Sequence, residues 1–426
     1  MELTLLLGLL ALLLIIGVPV AFALGLASLV TFIFMDIAPV VAFQRIATGV
    51  NVFSLMAIPF FVFAGDLMQQ AGIADRLVRV ADAAMGRMRG GLGVVDVGAS
   101  MMFGGVSGSA VASVSALGST LVPMMKEKGY DADYAVNVTS TSAILGILVP
   151  PSHNMIIYAA AAGVSVSVAD LFLAGVLPGI LTGILLAAVA WFVAVKRGYP
   201  KGEFPGWPAF ARAFAAAIPG LLTAVIIFGG VLGGVFTPTE SSAVAVIYTL
   251  VIALIVYRTL GFRGFTTAAQ NAVKTTAMVM LIIGSAAAFG WLLALLETPE
   301  QLATVMQSLT DNPIMILLMM NLILLVLGTF MDMAPLIVIT SPIFLPVAMA
   351  TGMDPVHFGI MMMLNLGIGL VTPPVGAVLF VGCAVGKIKV EEAVRTIWPF
   401  YLALFAALMA ITFVPALTLT LPGLAG

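Results

Sequence analysis

The chain has 426 residues, 62% of them hydrophobic and 8% charged, with 17 Lys and Arg against 19 Asp and Glu for a net charge of −2. Soluble domains run at roughly 45–50% apolar and about 25% charged, so a water-soluble fold of this length would expose apolar surface that it lacks the polar residues to cover. The single Cys383 excludes an intrachain disulfide framework, two histidines without paired cysteines give no metal-site spacing, and no basic stripe interleaved with aromatics points to nucleic acid.

Mean hydropathy is +1.21, and runs of about 20 apolar residues, enough for a hydrocarbon core about 30 Å thick, recur along the chain. Segments such as Ile180 to Val195 and Met278 to Leu296 are apolar on every face, which excludes the period of two that a transmembrane barrel needs. An all-α polytopic membrane protein is expected. The N-terminus has no basic n-region and no clear small-residue cleavage site, which disfavours a removed signal peptide.

In chain order, helices are predicted near Leu3 to Ile16, Val18 to Met35 and Val52 to Met68, followed by an amphipathic stretch at Arg76 to Arg89. A Gly/Ser-rich segment, Gly91 to Pro123, comes next. Long runs follow at Tyr134 to Gly163, Leu171 to Val195, Phe214 to Val235, Pro238 to Tyr257 and Thr275 to Leu296. A broken stretch at Pro313 to Pro346 leads to runs at Val356 to Val385 and Trp398 to Leu419.

The two halves match at an offset of 223 residues: Gly105 with Gly328, Pro123 with Pro346, Gly129 with Gly352, Asp131 with Asp354, Gly146 with Gly369, Pro150-Pro151 with Pro373-Pro374, and Gly163 with Gly386. These residue types determine backbone geometry, and they hold one register without a gap. Residues 1–200 and 201–426 therefore read as two repeats. Each contains a hairpin (91–123 and 313–346) and an interrupted helix (134–163 and 356–385).

Positive residues near helix ends stay cytoplasmic. If the chain starts outside and both broken stretches are re-entrant, every Lys and Arg from Arg76 to Arg395, Arg87 and Arg89 included, falls inside, and Arg45 alone falls outside. The first hairpin then enters from the cytoplasm and the second from the opposite face, so the repeats are inverted. Inverted repeats with interrupted segments at matching positions point to a secondary transporter whose site lies between them.

Backbone groups left unpaired in hydrocarbon cost several kcal/mol each, so each break must be satisfied by protein, water or ions. Gly104 to Ser109 reads as one hairpin tip and Gly328 to Asp332 as the other. The interrupted helices break at Gly146 to Ser152 and Gly369 to Pro374, where glycine permits unwinding and proline frees an upstream carbonyl. One tip beside one break offers hydroxyl and carbonyl oxygens for a hard monovalent ion, and half-helix N-termini suit a carboxylate. Close packing through small residues is the alternative reading of such Gly/Ser clusters.

Asp332 is an intramembrane carboxylate and a functional candidate. Glu240 after Thr237-Pro238-Thr239 fits a capping box as well as a transport role. Asp131 and Asp354 look like helix starts, Asp66 like an interfacial residue, and the many methionines like gap fillers. The candidate substrate contacts are Ser107, Ser152, His153, Asn154 and Thr372. His153 reads either as a buried, hydrogen-bonded residue or as a proton carrier. No H-E-x-x-H, paired intramembrane Asp or Ser/His spacing suggests an enzyme. A stand-alone carrier or channel is the alternative within transport.

Gly104 to Thr120 (GGVSGSAVASVSALGST), Gly234 to Ala245 (GVFTPTESSAVA) and Leu148 to Ser152 (LVPPS) together resemble the large membrane subunit of tripartite ATP-independent periplasmic (TRAP) transporters, over essentially the whole chain. The resemblance implies an elevator-type fold of the ion transporter superfamily. It also implies a smaller four-helix membrane subunit, a periplasmic substrate-binding protein and the bacterial inner membrane as its location. The small subunit is expected as a separate chain, since no further helices precede Leu3 to Ile16. Coupling would be to two Na+ ions and the cargo an organic acid such as a C4-dicarboxylate. Carried over by motif, the first ion site falls on Ser107, Ser109, Gly146 and Val149, and the second on Thr329, Asp332, Gly369 and Thr372.

Overall fold

The computed structural model describes residues 1–86, 88–202, 205–310 and 312–425, with the side chains at 106, 303, 307 and 425 left aside. Arg87, counted above among the cytoplasmic cations, lies outside the described residues. The described chain is helical apart from one isolated bridge between Arg89 and Lys201, and seven of its helices are long and apolar enough to cross a membrane.

The chain opens with α1 (Glu2–Ile15), α2 (Val20–Phe34), α3 (Pro39–Val50), α4 (Ala57–Gln70) and the arm α5 (Ile73–Met85). The first hairpin is α6 (Gly91–Ser107) and α7 (Ala110–Glu127), and the first broken helix is α8 (Ala132–Ser142), α9 (Leu145–Leu148) and α10 (His153–Ala161). After α11 (Val168–Lys196) come α12 (Trp207–Leu232), α13 (Pro238–Val251), α14 (Phe262–Leu295) and α15 (Thr298–Leu309). The second hairpin is α16 (Pro313–Phe330) and α17 (Met333–Ala350), and the second broken helix is α18 (Pro355–Gly369) and α19 (Ala377–Gly386). The chain closes with α20 (Val390–Thr396), α21 (Trp398–Phe413) and α22 (Ala416–Ala425).

Both expected hairpins and both interruptions are present, and several boundaries move for identifiable reasons. Helix α14 begins at Phe262, well before the apolar run at Thr275, because its first turns carry polar residues that hydropathy cannot register. The amphipathic α3 and the short α15 and α20 are additions of the same kind. The last run splits at Val414, since Pro415 has no N–H to donate to the Ile411 carbonyl. At the helix starts, Asp354 accepts from the Val356 N–H at 2.7 Å, and Thr237 with Glu240 forms the complete capping box. Asp131 and Asp133 both pair with Arg197, tying the start of α8 to the end of α11.

Two packed groups position the site. Helices α2, α3 and α4 pack on α14, and α4 also packs on α13. The other group contains both hairpins and both broken helices, and these interlock across the halves: α19 lies against α7 and α8, while α10 lies against α17 and α18. Small residues make this possible. A Cβ at Gly382 would meet the Ser140 hydroxyl at 2.2 Å, and one at Gly359 would meet the Tyr158 ring at 2.4 Å. Lys126 Nζ donates to the Gly386 carbonyl at 3.2 Å, and Tyr158 Oη to that of Pro355 at 2.6 Å.

Each hairpin also docks on its own broken helix backbone to backbone. A Cβ at Gly104 would lie 2.6 Å from Gly146 Cα, and one at Gly369 would lie 2.5 Å from the Gly328 carbonyl carbon. Gly369→Ala is therefore expected to destabilise the protein by about 1–3 kcal/mol through overpacking, read as a lower melting temperature in detergent. Gly229→Ala, whose methyl would meet nothing within 4 Å, should leave that temperature unchanged. Equal melting temperatures for the two variants would refute the role given to the glycine contact.

Candidate functional site

The first hairpin turns at Gly108 and Ser109. Gly108 has φ +61, and a Cβ there would sit 2.9 Å from the Pro151 carbonyl oxygen, so glycine answers both a left-handed turn and a close approach. Ser109 caps α7, its hydroxyl accepting from the Ala112 N–H at 3.4 Å. The second hairpin turns at Met331 and Asp332, and Asp332 caps α17 by accepting from the Met333 N–H at 2.8 Å.

Opposite the first tip, α9 ends at Leu148 and α10 restarts at His153, the two segments bent by 52°. Pro150 and Pro151 have no N–H, so the carbonyls of Gly146 and Ile147 have no donor four residues on. The Ser107 and Ser113 hydroxyls lie 3.0 Å apart, with Ser107 Oγ 3.5 Å from the Ser109 carbonyl oxygen. Ser113 Oγ and the Ser109 carbonyl lie 2.9 and 3.5 Å from where a Gly146 Cβ would stand. Oxygens from the tip thus converge on the glycine of the break. Hard cations take oxygen ligands, and the donor set at Ser107, Ser109, Ser113 and Gly146 fits a monovalent one. Val149, half-buried in extended backbone, ends the same stretch.

The second break is more fully satisfied by protein. The Val375 N–H donates to the Thr329 carbonyl at 3.1 Å, the Thr372 N–H to Gly369 at 2.9 Å and the Val378 N–H to Leu370 at 3.0 Å. Tyr401 Oη donates to the Val371 carbonyl at 2.6 Å. The Thr329 and Thr372 hydroxyls each donate to a helix carbonyl, at 2.8 and 2.7 Å, which keeps their lone pairs free for a cation.

A cavity of about 780 Å³ joins the two halves. Of the sequence candidates, Ser107, Ser109, His153, Asn154 and Asp332 line it. Gly146, Val149, Ser152, Thr329, Gly369 and Thr372 do not. Ser152 is fully buried, with a hydroxyl that has no hydrogen-bond partner among the described residues. His153 is half-buried against the cavity and forms no hydrogen bond to a described residue.

The opposite wall comes from α4, with Asp66 and Gln69, and from α14, with Asn271, Lys274 and Thr275. Sequence reasoning missed this wall because its residues sit in polar turns of otherwise apolar helices. The signal was there in Lys274, a cation one residue before a long apolar run. Ser113 was missed as well, although it lies across the tip from Ser107. So was Asp96, a fully buried carboxylate in α6.

Residues 7–417 match the family described as the Tripartite ATP-independent periplasmic transporter, DctM component. The Sialic acid TRAP transporter large permease protein SiaM of Vibrio cholerae is 40% identical over 96% of this chain and 95% of its own. The C4-dicarboxylate TRAP transporter large permease protein DctM of Rhodobacter capsulatus is 38% identical over 98% of each. Among solved structures, the YdaH transporter of Alcanivorax borkumensis superposes with a TM-score of 0.58 at 14% identity, covering 84% of this chain and 86% of that one, a likeness of fold. With a family match over nearly its whole length and two glycine-docked hairpins around one cavity, this chain belongs to the DctM family of TRAP transporter large permeases.

Proposed function

We propose that this chain is the large membrane subunit of a sodium-coupled importer of an organic acid, a C4-dicarboxylate or similar carboxylate, in the bacterial inner membrane. It works with a smaller four-helix membrane subunit and receives its cargo from a periplasmic binding protein. The observation that carries this reading is the shared cavity. The N-terminus of α17 is capped at the wall by the Asp332 carboxylate, and two further helix N-termini, those of α7 and α10, bring Ser109 and His153 to it. Their partial positive charge, together with Lys274 on the opposite side, suits an anionic cargo.

Two Na+ ions would sit between the hairpin tips and the breaks. The first is held by Ser107, Ser109, Gly146 and Val149, with Ser113 added from the geometry. The second is held by Thr329, Asp332, Gly369 and Thr372. Ions on these oxygens brace the tips, so cation binding and cargo binding favour the same arrangement of hairpins.

Residues 1–200 and 201–426 form two inverted repeats, and the motion is of elevator type. The interlocked hairpins and broken helices travel as one body past a scaffold of α2, α3, α4, α13 and α14. The backbone contacts between tips and breaks support a rigid body, and the cavity lies where that body meets the scaffold. The substrate names of the relatives, sialic acid and C4-dicarboxylate, both describe carboxylates.

In vesicles holding both membrane subunits and supplied with the binding protein, uptake should cease when the sodium gradient is collapsed; uptake at full rate without sodium would reject the coupling. Asp332→Asn retains a capping oxygen while removing the charge. It should raise the half-saturating sodium concentration roughly tenfold, the equivalent of about 1.4 kcal/mol, and unchanged sodium dependence would assign Asp332 to capping alone. Lys274→Gln should raise the half-saturating substrate concentration by a similar factor, roughly tenfold, with sodium dependence retained. An unchanged value would remove Lys274 from the cargo site.

A further inference from the structure

Asp96 stands in the second turn of α6, inside the body that carries both hairpins, and its residue is 0% exposed. Its Oδ1 accepts from Ser142 Oγ at 2.8 Å and from Ser100 Oγ at 3.3 Å, and its Oδ2 accepts from Thr139 Oγ1. Ser100, Thr139 and Ser142 are themselves buried. Among the described residues no Lys, Arg or His bonds or ion-pairs with it. None of the charged and titratable groups on the elements packed around α6 bonds to Asp96 among the described residues: Arg79 and Asp82 on α5, Glu127 on α7, Asp170 and Lys196 on α11 and Arg212 on α12 form no hydrogen bond or ion pair with it, and the others bond elsewhere or line the cavity. Asp75 accepts from Thr120, Arg76 donates to the carbonyls of Ala71 and Gly72, and Lys126 donates to that of Gly386. Asp133 pairs with Arg197, Tyr134 donates to the Ala190 carbonyl, and Asp66 lines the cavity.

A fully buried carboxylate costs several kcal/mol, which three neutral hydroxyl donors offset only in part, and a cation or a proton removes the remaining charge. The contacts favour the proton. Carboxylate and hydroxyl oxygens bond directly to one another, with Ser100 Oγ and Ser142 Oγ 3.0 Å apart, so the cluster is already closed by hydrogen bonds. Ser142 Oγ also lies 3.2 Å from the Thr139 carbonyl oxygen. Ser142 can therefore accept from a carboxylic O–H and pass its own hydrogen to that carbonyl, so every hydrogen of a neutral Asp96 cluster finds an acceptor.

The second half supplies an independent comparison. At the offset of 223 residues, Met319 stands for Asp96, Met362 for Thr139 and Asn365 for Ser142. There the buried polar contact is an amide pair, with Asn365 Nδ2 donating to the side-chain and main-chain oxygens of Asn321 at 2.8 and 2.9 Å. Hairpin and broken helix thus pack at this level through neutral groups, with no carboxylate required. A protonated acid makes the first half the neutral equivalent of the second.

We propose that Asp96, with Ser100, Thr139 and Ser142, forms a proton-binding site within the transport body, loaded in the conformation seen here and separate from the cation sites at the hairpin tips. Infrared difference spectra between wild type and Asp96→Asn, recorded in lipid at neutral pH in H2O and D2O, test it without reference to sodium or transport. A deuterium-sensitive C=O band of a protonated carboxyl should be present in wild type and lost in the variant. Loss of ionised-carboxylate bands instead would overturn the proposal. Should Asp96→Asn fail to assemble, Thr139→Val keeps the acid and removes one donor, and should shift the same band without abolishing it. A protonated-carboxyl region identical in wild type and Thr139→Val would equally overturn the site.

Discussion

An unpaired backbone carbonyl within hydrocarbon costs several kcal/mol, and this chain opens its helices twice inside its apolar helical body. The architecture follows from how those openings are answered. At the second break the answer is mostly protein: Thr329 and Leu370 carbonyls accept from N–H groups across the gap, and Tyr401 reaches in from α21 to the Val371 carbonyl. At the first break the prolines withhold donors, and the nearby polar groups are the hydroxyls of Ser107 and Ser113 with the Ser109 carbonyl. The two halves share one geometry and differ in how completely the backbone satisfies itself.

Close approach is the second requirement, and glycine supplies it. Gly104 against Gly146, and Gly328 against Gly369, let hairpin and broken helix meet at backbone distance. Helix α11 uses the same device at its start, where a Cβ at Gly175 would stand 2.3 Å from the Leu148 carbonyl oxygen and one at Gly179 would stand 2.9 Å from the Val149 side chain. Because interiors at this density are not continuously deformable, the hairpins, breaks and α11 behave as one packed unit. The exchange of α10 and α19 between halves joins the two tips to that unit and brings them to a single cavity.

Two kinds of polar group inside this body bear on its function, beside buried atoms such as Ser140 Oγ and Asn365 Oδ1 that have no partner among the described residues. Those at the tips present lone pairs toward the breaks, while Asp96 and its three hydroxyls close on themselves. The amide pair Asn321 and Asn365 is the second half's counterpart of that closed cluster. Buried polar networks are favourable when every member is satisfied and costly otherwise, which is why the protonation state of Asp96 matters to the packing of the first hairpin.

Much of this was legible in the residues alone. The apolar runs, the glycine and proline matches at one offset and the Gly/Ser-rich tips determined a helical membrane protein with paired hairpins and paired breaks, because glycine and proline act through the local backbone and hydropathy through segment length. Caps at Thr237 and Asp354 were equally local, whereas Asp332, read as an intramembrane acid, emerged as a cap only in the structure. What tertiary structure decided was proximity. That Ser107, Asp332 and Lys274 share one cavity, that Ser152 and Thr372 do not line it, and that Asp96 meets residues more than forty positions away all depend on helix packing. A one-dimensional pattern carries no distance between segments, and a polar turn within an apolar helix looks the same in sequence whether it faces water, a cavity or another buried hydroxyl.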